Sequence, residues 1–349
     1  MIRKTFAAIL VFTAVSLLCS GCSPVKEPAG AHAGNAGEAS RELFAMDTFM
    51  SIVTYGDAAE EAADAAAGEI ARLDSLFSVG IADSDIAVLN CEKKAAVSGE
   101  TMELIERSAA ISRSTDGAFE PTVYPLMEAW GFPSGNYRIP SDDELEKLLE
   151  NVDVSRIRTD PASGTVSFTS AQTAIDLGGI AKGYTSARLM DLFREYGLVS
   201  AKVSLGGNIQ VLGKKPDGTR WKIGIEDASG NGTLAGVIET EDSAVVTSGD
   251  YERYFEENGV RYHHILDPET GYPARSGLAG VTIISSDGTL ADALSTALFV
   301  MGSEKAEEYW REHADEFDMI LQKTDGTLSV SEGIEDRFTG NRETQVIRR

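Results

Sequence analysis

The side chains able to do chemistry gather at a few turns and helix starts. The densest group is Ala174-Ile175-Asp176-Leu177-Gly178-Gly179-Ile180-Ala181-Lys182-Gly183-Tyr184. It reads as a strand, a glycine turn and the opening of a helix. Free N–H groups and the positive end of the helix dipole face whatever sits there, and paired glycines admit a ligand close to the backbone. Lys182 adds a mobile positive charge suited to a phosphate. Asp176 can accept hydrogen bonds from a base or sugar. The pattern equally describes a tight strand–helix connection with a surface lysine, and it is neither a Walker A loop nor a G-x-G-x-x-G fingerprint.

A second group is Leu290-Ala291-Asp292-Ala293-Leu294-Ser295-Thr296-Ala297-Leu298. Asp292 and Thr296 lie four apart, hence on one helix face. A carboxylate and a hydroxyl offer two oxygens to a hard cation such as Mg²⁺, with waters and phosphates completing the shell. The bland alternative is an acid favoured by the dipole of a first helical turn, beside a packed threonine. Third, His263 and His264, two of the four histidines, precede the turn Asp267-Pro268-Glu269-Thr270-Gly271. A neutral imidazole can deprotonate an alcohol near pH 7. On a strand the two rings face opposite ways, so at most one enters a given site. Fourth, Asp116-Gly117-Ala118-Phe119-Glu120-Pro121-Thr122-Val123 joins a turn, an aromatic ring and a carboxylate. Phe119 suits a ring pocket or simply the core. Gly206-Gly207-Asn208 and Thr247-Ser248-Gly249-Asp250 are polar turns of the kind that line clefts.

Elements must position these groups. Apolar spacing predicts amphipathic helices over 58–76 and 101–114. Ser141 with Glu144 three residues on is a capping-box start for a helix over 141–149. Further helices are expected over 181–196, 290–301 and 304–314. Strands are expected over 165–168, 173–177, 201–205, 210–212, 221–225 and 281–284. Strands and helices come in blocks, which favours α+β over a doubly wound parallel sheet. Structure should begin near Leu43, and the polar end after Val330 should be peripheral.

The N-terminus is a processing signal. Arg3 and Lys4 precede an apolar run over 6–18, too short to span a bilayer but suited to a secretory core. Ser20, Gly21 and Cys22 look like a bacterial lipoprotein cleavage site, although Cys19 stands where Leu is usual; an ordinary signal with an incidental cysteine is the alternative. Residues 1–21 are then the leader. Residues 22–42 are a lipidated cysteine with an Ala/Gly/Pro tether, 43–340 the functional domain and 341–349 a polar tail. The processed chain is long enough for one large domain or two lobes around a cleft. Only Cys91 remains beside the lipid site, so there is no disulfide framework. No Cys/His pair has zinc spacing. The net charge of −24 argues against nucleic-acid binding. An anionic dinucleotide would need a local cation to offset it.

Taken in order, these segments resemble one family, the FAD:protein FMN transferases, or ApbE-type flavin transferase lipoproteins. The matching pieces are Met46-Asp47-Thr48, the run from Gly117 to Val123, Trp130-Gly131-Phe132, Ile175 to Tyr184, Ser204 to Asn208, Thr247-Ser248-Gly249, His264 to Gly271 and Ala291 to Thr296. They cover the chain from Leu43 to Gly302. The resemblance implies mixed sheets with packed helices in two lobes around a central flavin cleft, ApbE-like and related to the T-fold. It implies that Met46, Ala118, Phe119, Glu120, Asp176, Lys182 and Leu266 contact FAD. It also implies that the Gly179 main-chain oxygen, Asp292 and Thr296 hold Mg²⁺, and that His264 is the base, with Asp292 also catalytic. The implied reaction moves FMN from FAD to a Ser or Thr of an exported acceptor carrying Asp-x-x-Ser/Thr-Gly-Ala-Ser/Thr, releasing AMP. No such segment occurs in this chain. The enzyme is then lipid-anchored at the cell membrane, facing the periplasm or exterior. Two rivals use the same residues: a pyrophosphatase giving free FMN and AMP, and a non-catalytic flavin-binding lipoprotein. Three positions depart from the family pattern: Glu120 where Asp is usual, Gly179 where Ala is frequent, and 77–80, which lacks an aromatic common before Asp83-Ser84.

Overall fold

Strict alternation of buried and exposed residues, as in the run from Trp221 to Glu226, makes the strands of this chain two-faced, and each face is covered differently. The computed structural model describes residues 37–349. The leader, Cys22 and most of the tether lie outside the described residues.

The chain opens with β1 (Glu38–Ala45) and β2 (Thr48–Tyr55), then α1 (Ala59–Phe77), α2 (Asp85–Glu92), β3 (Lys94–Ala96) and α3 (Gly99–Ser114). Short helices α4 (Tyr124–Trp130) and α5 (Asp142–Leu149) follow, with β4 (Ile157–Asp160), β5 (Thr165–Phe168) and α6 (Ala181–Glu195). Next come β6 (Ser200–Leu205), β7 (Asn208–Leu212), β8 (Trp221–Glu226), β9 (Leu234–Thr240), β10 (Ser243–Gly249), β11 (Tyr254–Glu257) and β12 (Val260–His263). The remainder is β13 (Leu278–Ser285), α7 (Gly288–Met301), α8 (Ser303–His313), β14 (Asp318–Lys323), β15 (Leu328–Ser331), β16 (Phe338–Gly340) and β17 (Thr344–Ile347).

The scaffold is a nine-stranded sheet in the order β1-β2-β6-β7-β10-β13-β14-β15-β17. Its pairs are antiparallel except the last, β15 with β17. On one face lie α1, α6, α7 and α8. Alanines at 59, 62, 63 and 66 leave α1 thin enough to press on β1 and β2. On the other face β8, β9 and β16 form a small sheet whose Trp221, Ile223, Ile225 and Ile238 pack on Val211, Val245, Ile284 and Ile320. The fold is α+β with mixed sheets, as expected.

Side chains set the helix starts. Ser84, Ser98 and Ser141 accept N–H bonds at the heads of α2, α3 and α5, and Asp287 does so for α7. Only half of the capping box at Ser141 forms: the Glu144 carboxylate turns to Arg138 instead, 2.7 Å from its guanidinium. Helix α6 has no side-chain cap at its own N-cap, Ile180.

Three expectations are corrected. Residues 173–177 are extended but belong to no sheet, because no strand lies alongside. The Asn90 amide substitutes for one, donating to the Ile175 carbonyl and accepting its N–H, both at 2.8 Å. The Asp176 N–H finds the Pro121 carbonyl at 2.8 Å. Strand β1 already starts at Glu38, five residues ahead of Leu43, since its alternation begins inside the small-residue stretch. The C-terminal stretch read as a polar tail carries β17, which adds in parallel to β15 and buries Ile347. Among the described residues no helix is long and apolar enough to cross a membrane.

Candidate active site

The site is a cleft of about 1590 Å³ between loops of the helical layer and the ends of β6, β7, β8 and β10. Met46, Ala118, Phe119, Glu120, Asp176, Gly179, Lys182, His264, Leu266, Asp292 and Thr296 all line it. Sequence positions more than 200 residues apart thus converge on one cavity.

Its floor is built by two helices touching backbone to backbone. A Cβ on Gly183 would stand 2.2 Å from the Gly288 carbonyl oxygen and 2.5 Å from Asp292 Cβ. That closeness lets Asp292, on α7, accept the Gly183 N–H of α6 at 2.7 Å. The start of α6 therefore does not point free N–H groups at an open site, as the sequence suggested; a carboxylate from the neighbouring helix caps it. Burial pushes the Asp292 carboxyl upward, while Lys182 and this N–H hold it down. Asp292 is 5% exposed. The positive end of α6 thus lowers the cost of a negative charge in a dry place.

Thr296 follows one turn along α7. Its hydroxyl lies 3.4 Å from the Ser248 hydroxyl, and Gly179 packs so close that a Cβ there would be 3.7 Å from Thr296 Oγ1 and 3.2 Å from the Phe119 ring. The donors on offer are a carboxylate, a hydroxyl and a peptide carbonyl. All are hard oxygens, and Mg²⁺ selects such sets. Among the described residues no three His, Cys, Asp or Glu side chains stand close enough together to hold a metal ion, so a cation here would lean on ligand phosphates and water for its remaining shell. Asn208, fully buried in the cleft wall, has no partner for either amide atom. Such an orphan suits a site completed by something that is not protein.

Lys182 donates to the Gly178 carbonyl at 3.2 Å, and Asp176 accepts the Gly178 N–H at 2.8 Å. Burial raises the Asp176 carboxyl, opposed by that N–H, Lys182 and Arg253. Met46 sits in a two-residue hairpin turn with Asp47, at φ values of 47° and 58°. A left-handed methionine is uncommon and marks a backbone held by its surroundings. Phe77, buried edge-on against Tyr184, also lines the cleft.

Glu120 is committed inward. Its carboxylate accepts from the Thr122 N–H and hydroxyl, the Ser112 hydroxyl and the Val154 N–H. It ties α3 to two loops, so what it leaves for a ligand is backbone and methylene. Leu266 likewise packs with Leu126, Trp130, Phe132 and Leu145 beneath the cleft.

The two histidines diverge as a strand end requires. His263 is buried, with Nε2 3.0 Å from the Ala274 carbonyl and its ring edge-on to Phe299. His264 lines the cleft. The Arg253 carbonyl accepts its backbone N–H at 3.0 Å and faces ring Nδ1 at 3.2 Å. That contact places the ring proton on Nδ1 and leaves Nε2 as the basic nitrogen. Burial pushes His264 down to about 3, aided by Lys182 and Arg253, so the ring is neutral at pH 7.

Glu252 and Arg253 were missed from sequence. Glu252 lines the same cleft with its side chain still open to solvent; the surrounding protein, with Asp292 and Glu226, raises its carboxyl to about 7 against the pull of Lys182. The available signal was the acid–base run Asp250-Tyr251-Glu252-Arg253 directly after Thr247-Ser248-Gly249, which reads as a polar turn in sequence but is the end of β10 in the structure.

The description "ApbE family" matches residues 46–321. A FAD:protein FMN transferase of Treponema pallidum (strain Nichols) is 34% identical over 321 residues, covering 86% of this chain and 88% of that protein. The crystal structure of an ApbE protein from Thermotoga maritima superposes with a TM-score of 0.81 at 35% identity, over 88% of this chain and 100% of the other. The flavin transferase ApbE of Vibrio cholerae gives a TM-score of 0.77 at 26% identity, over 86% and 99%.

Proposed function

This chain belongs to the ApbE family and is a FAD:protein FMN transferase, and we propose that it divides FAD in the cleft of Lys182, His264 and Asp292. One observation carries the site assignment. A buried carboxylate, a hydroxyl one helical turn on and a lysine meet where α6 and α7 touch.

Asp292, Thr296 and the Gly179 carbonyl would hold Mg²⁺, which when bound supplies positive charge to the pyrophosphate. Lys182 adds a second positive charge on the same side, where negative charge grows as AMP departs. Phe119 and Met46 supply apolar surface for the ring system. The hydroxyl of an acceptor Ser or Thr attacks the FMN phosphorus. The bond from that phosphorus to the bridging oxygen breaks, and AMP leaves with that oxygen. The hydroxyl proton passes to a base. His264 Nε2 is neutral and free to take it. Burial first, then Lys182 and Arg253, make it a reluctant acceptor; an arriving pyrophosphate offsets the two charges and leaves the burial in place. Glu252, near 7, is the second base within the same wall.

The same reading places the enzyme outside the cytoplasm on a lipid anchor at Cys22. The charged start, the apolar run over 6–18 and the small residues before Cys22 support it. Its partners are exported acceptors with the Asp-x-x-Ser/Thr-Gly-Ala-Ser/Thr segment. The test mixes the protein with FAD, Mg²⁺ and a small acceptor domain carrying Asp-x-x-Thr-Gly-Ala-Thr. The acceptor mass should rise by one FMN residue, and EDTA should prevent it. Free FMN and AMP without a mass shift would make the enzyme a hydrolase.

A further inference from the structure

The tip of the first hairpin carries two aromatic rings without cover. Phe44 and Phe49 are direct cross-strand partners, 64% and 79% exposed, and meet edge to face with centroids 5.6 Å apart. Among the described residues neither ring contacts another aromatic. They stand on the sheet face opposite α1. Further along that face the small sheet takes over, where Tyr55 meets Trp221 at 6.3 Å, but at the hairpin tip this cover has ended. Exposed apolar residues scattered singly need no explanation, whereas an adjacent aromatic pair marks a contact surface.

Its place says which contact. Phe44 lines the cleft together with Met46 and Asp47 of the same turn, and with Ile225 from β8. The pair is thus on the rim of the cavity into which a second protein must insert a hydroxyl. Leu234, 47% exposed, stands beside Gly224, another residue of this wall. Phe49, the more exposed ring, does not line the cleft, so the pair extends outward from the flavin site rather than into it. The chain enters β1 at Glu38, and Phe44 lies six residues, roughly 20 Å, along the strand from that point. The rings are therefore at the cleft end of the hairpin and not at the tether end.

We infer that the Phe44–Phe49 pair is the docking anchor for the acceptor protein, receiving an apolar side chain that lies next to the modified Ser or Thr. This rests on the transferase reading above. The two rings position the acceptor and take no part in the chemistry, so their loss raises KM for the acceptor and leaves kcat alone.

The test uses the full chain as Phe44→Ser/Phe49→Ser and as Phe44→Tyr/Phe49→Tyr. Each is assayed with the Asp-x-x-Thr-Gly-Ala-Thr acceptor domain, and titrated with a twin whose target threonine is alanine. The serine variant should raise both the acceptor KM and the twin's Kd about tenfold or more. Its kcat and FAD affinity should stay within about twofold, and its thermal unfolding should not move, since the rings are exposed. The tyrosine variant should behave as wild type. Unchanged KM and Kd overturn the inference. So does a weakened FAD affinity, which would put the rings in the flavin pocket, or lost binding to phosphatidylglycerol vesicles with acceptor KM intact, which would make them a membrane contact. If wild type binds the twin through these rings yet transfers nothing, docking stands and the transfer reading falls. If wild type does not bind the twin at all, docking falls.

Discussion

Asp292 has two duties, and its substitutions should separate them. It caps α6 through the Gly183 N–H and offers its charge to the cleft. Asp292→Asn keeps an acceptor for the cap and removes the charge. Transfer should fall on the order of a thousandfold with little change in unfolding temperature. Asp292→Ala should lose both. Wild-type transfer by the asparagine variant would remove the cation role. The base can be assigned by a parallel pair. His264→Gln or Glu252→Gln, whichever removes the proton acceptor, should slow transfer about 100-fold or more while FAD affinity is kept. Equal, small effects in both would leave neither as base. Lys182, Gly179, Asp292 and Thr296 were legible as cleft residues through the order of their segments along the chain, since the spacing of each group alone also fits a plain helix start. Glu252 was not, because one carboxylate among 55 acidic residues carries no mark until its surroundings are known. Glu120 was legible as a cleft residue, but not as one whose carboxylate is already spent on four bonds inside the protein.

At the level of elements, the contact between α6 and α7 decides whether the site exists. Glycines at 183 and 288 permit it. Gly183→Ala drives a methyl into the Gly288 carbonyl and must separate the helices. Overpacking of this kind costs about 1–3 kcal/mol. It also pulls Asp292 from the α6 start, so lowered unfolding temperature and lost transfer should appear together. An alanine variant that keeps both would show that the helices can part without harm. Periodicity revealed the long helices and the two-faced strands, because both face a core on one side only. It misread 173–177, whose apolar alternation resembles a strand. There the ladder is replaced by one amide, Asn90, 85 residues away in sequence. It also passed over β17, too short and polar to stand out before its parallel partner is known.

For the molecule as a whole, the buried His263 and the half-buried His264 tie stability to acid. The folded chain holds His263 at about 4 and His264 at about 3, whereas both return to 6.5 when unfolded. The unfolded form therefore takes up protons that the folded form refuses. Stability from these neutral rings is full above 6.5 and drains away as pH falls toward their folded values. The raised carboxyls of Glu120, Asp176 and Asp292 work in the opposite sense, easing as they protonate. His264→Gln should flatten the dependence of unfolding free energy on pH by about one proton between roughly pH 6.5 and 4. An unaltered slope would mean that His264 titrates normally. The Asn90 grip on Ile175 has a practical use as well. The next residue, Cys91, is exposed and is the only cysteine among the described residues. In protein cut to residues 37–349, a fluorophore attached there needs no background mutations. It would sit one residue from the clamp that sets the strap bearing Asp176 and Gly179, so its emission could follow, in real time and in a single cuvette, each arrival of FAD and each departure of AMP.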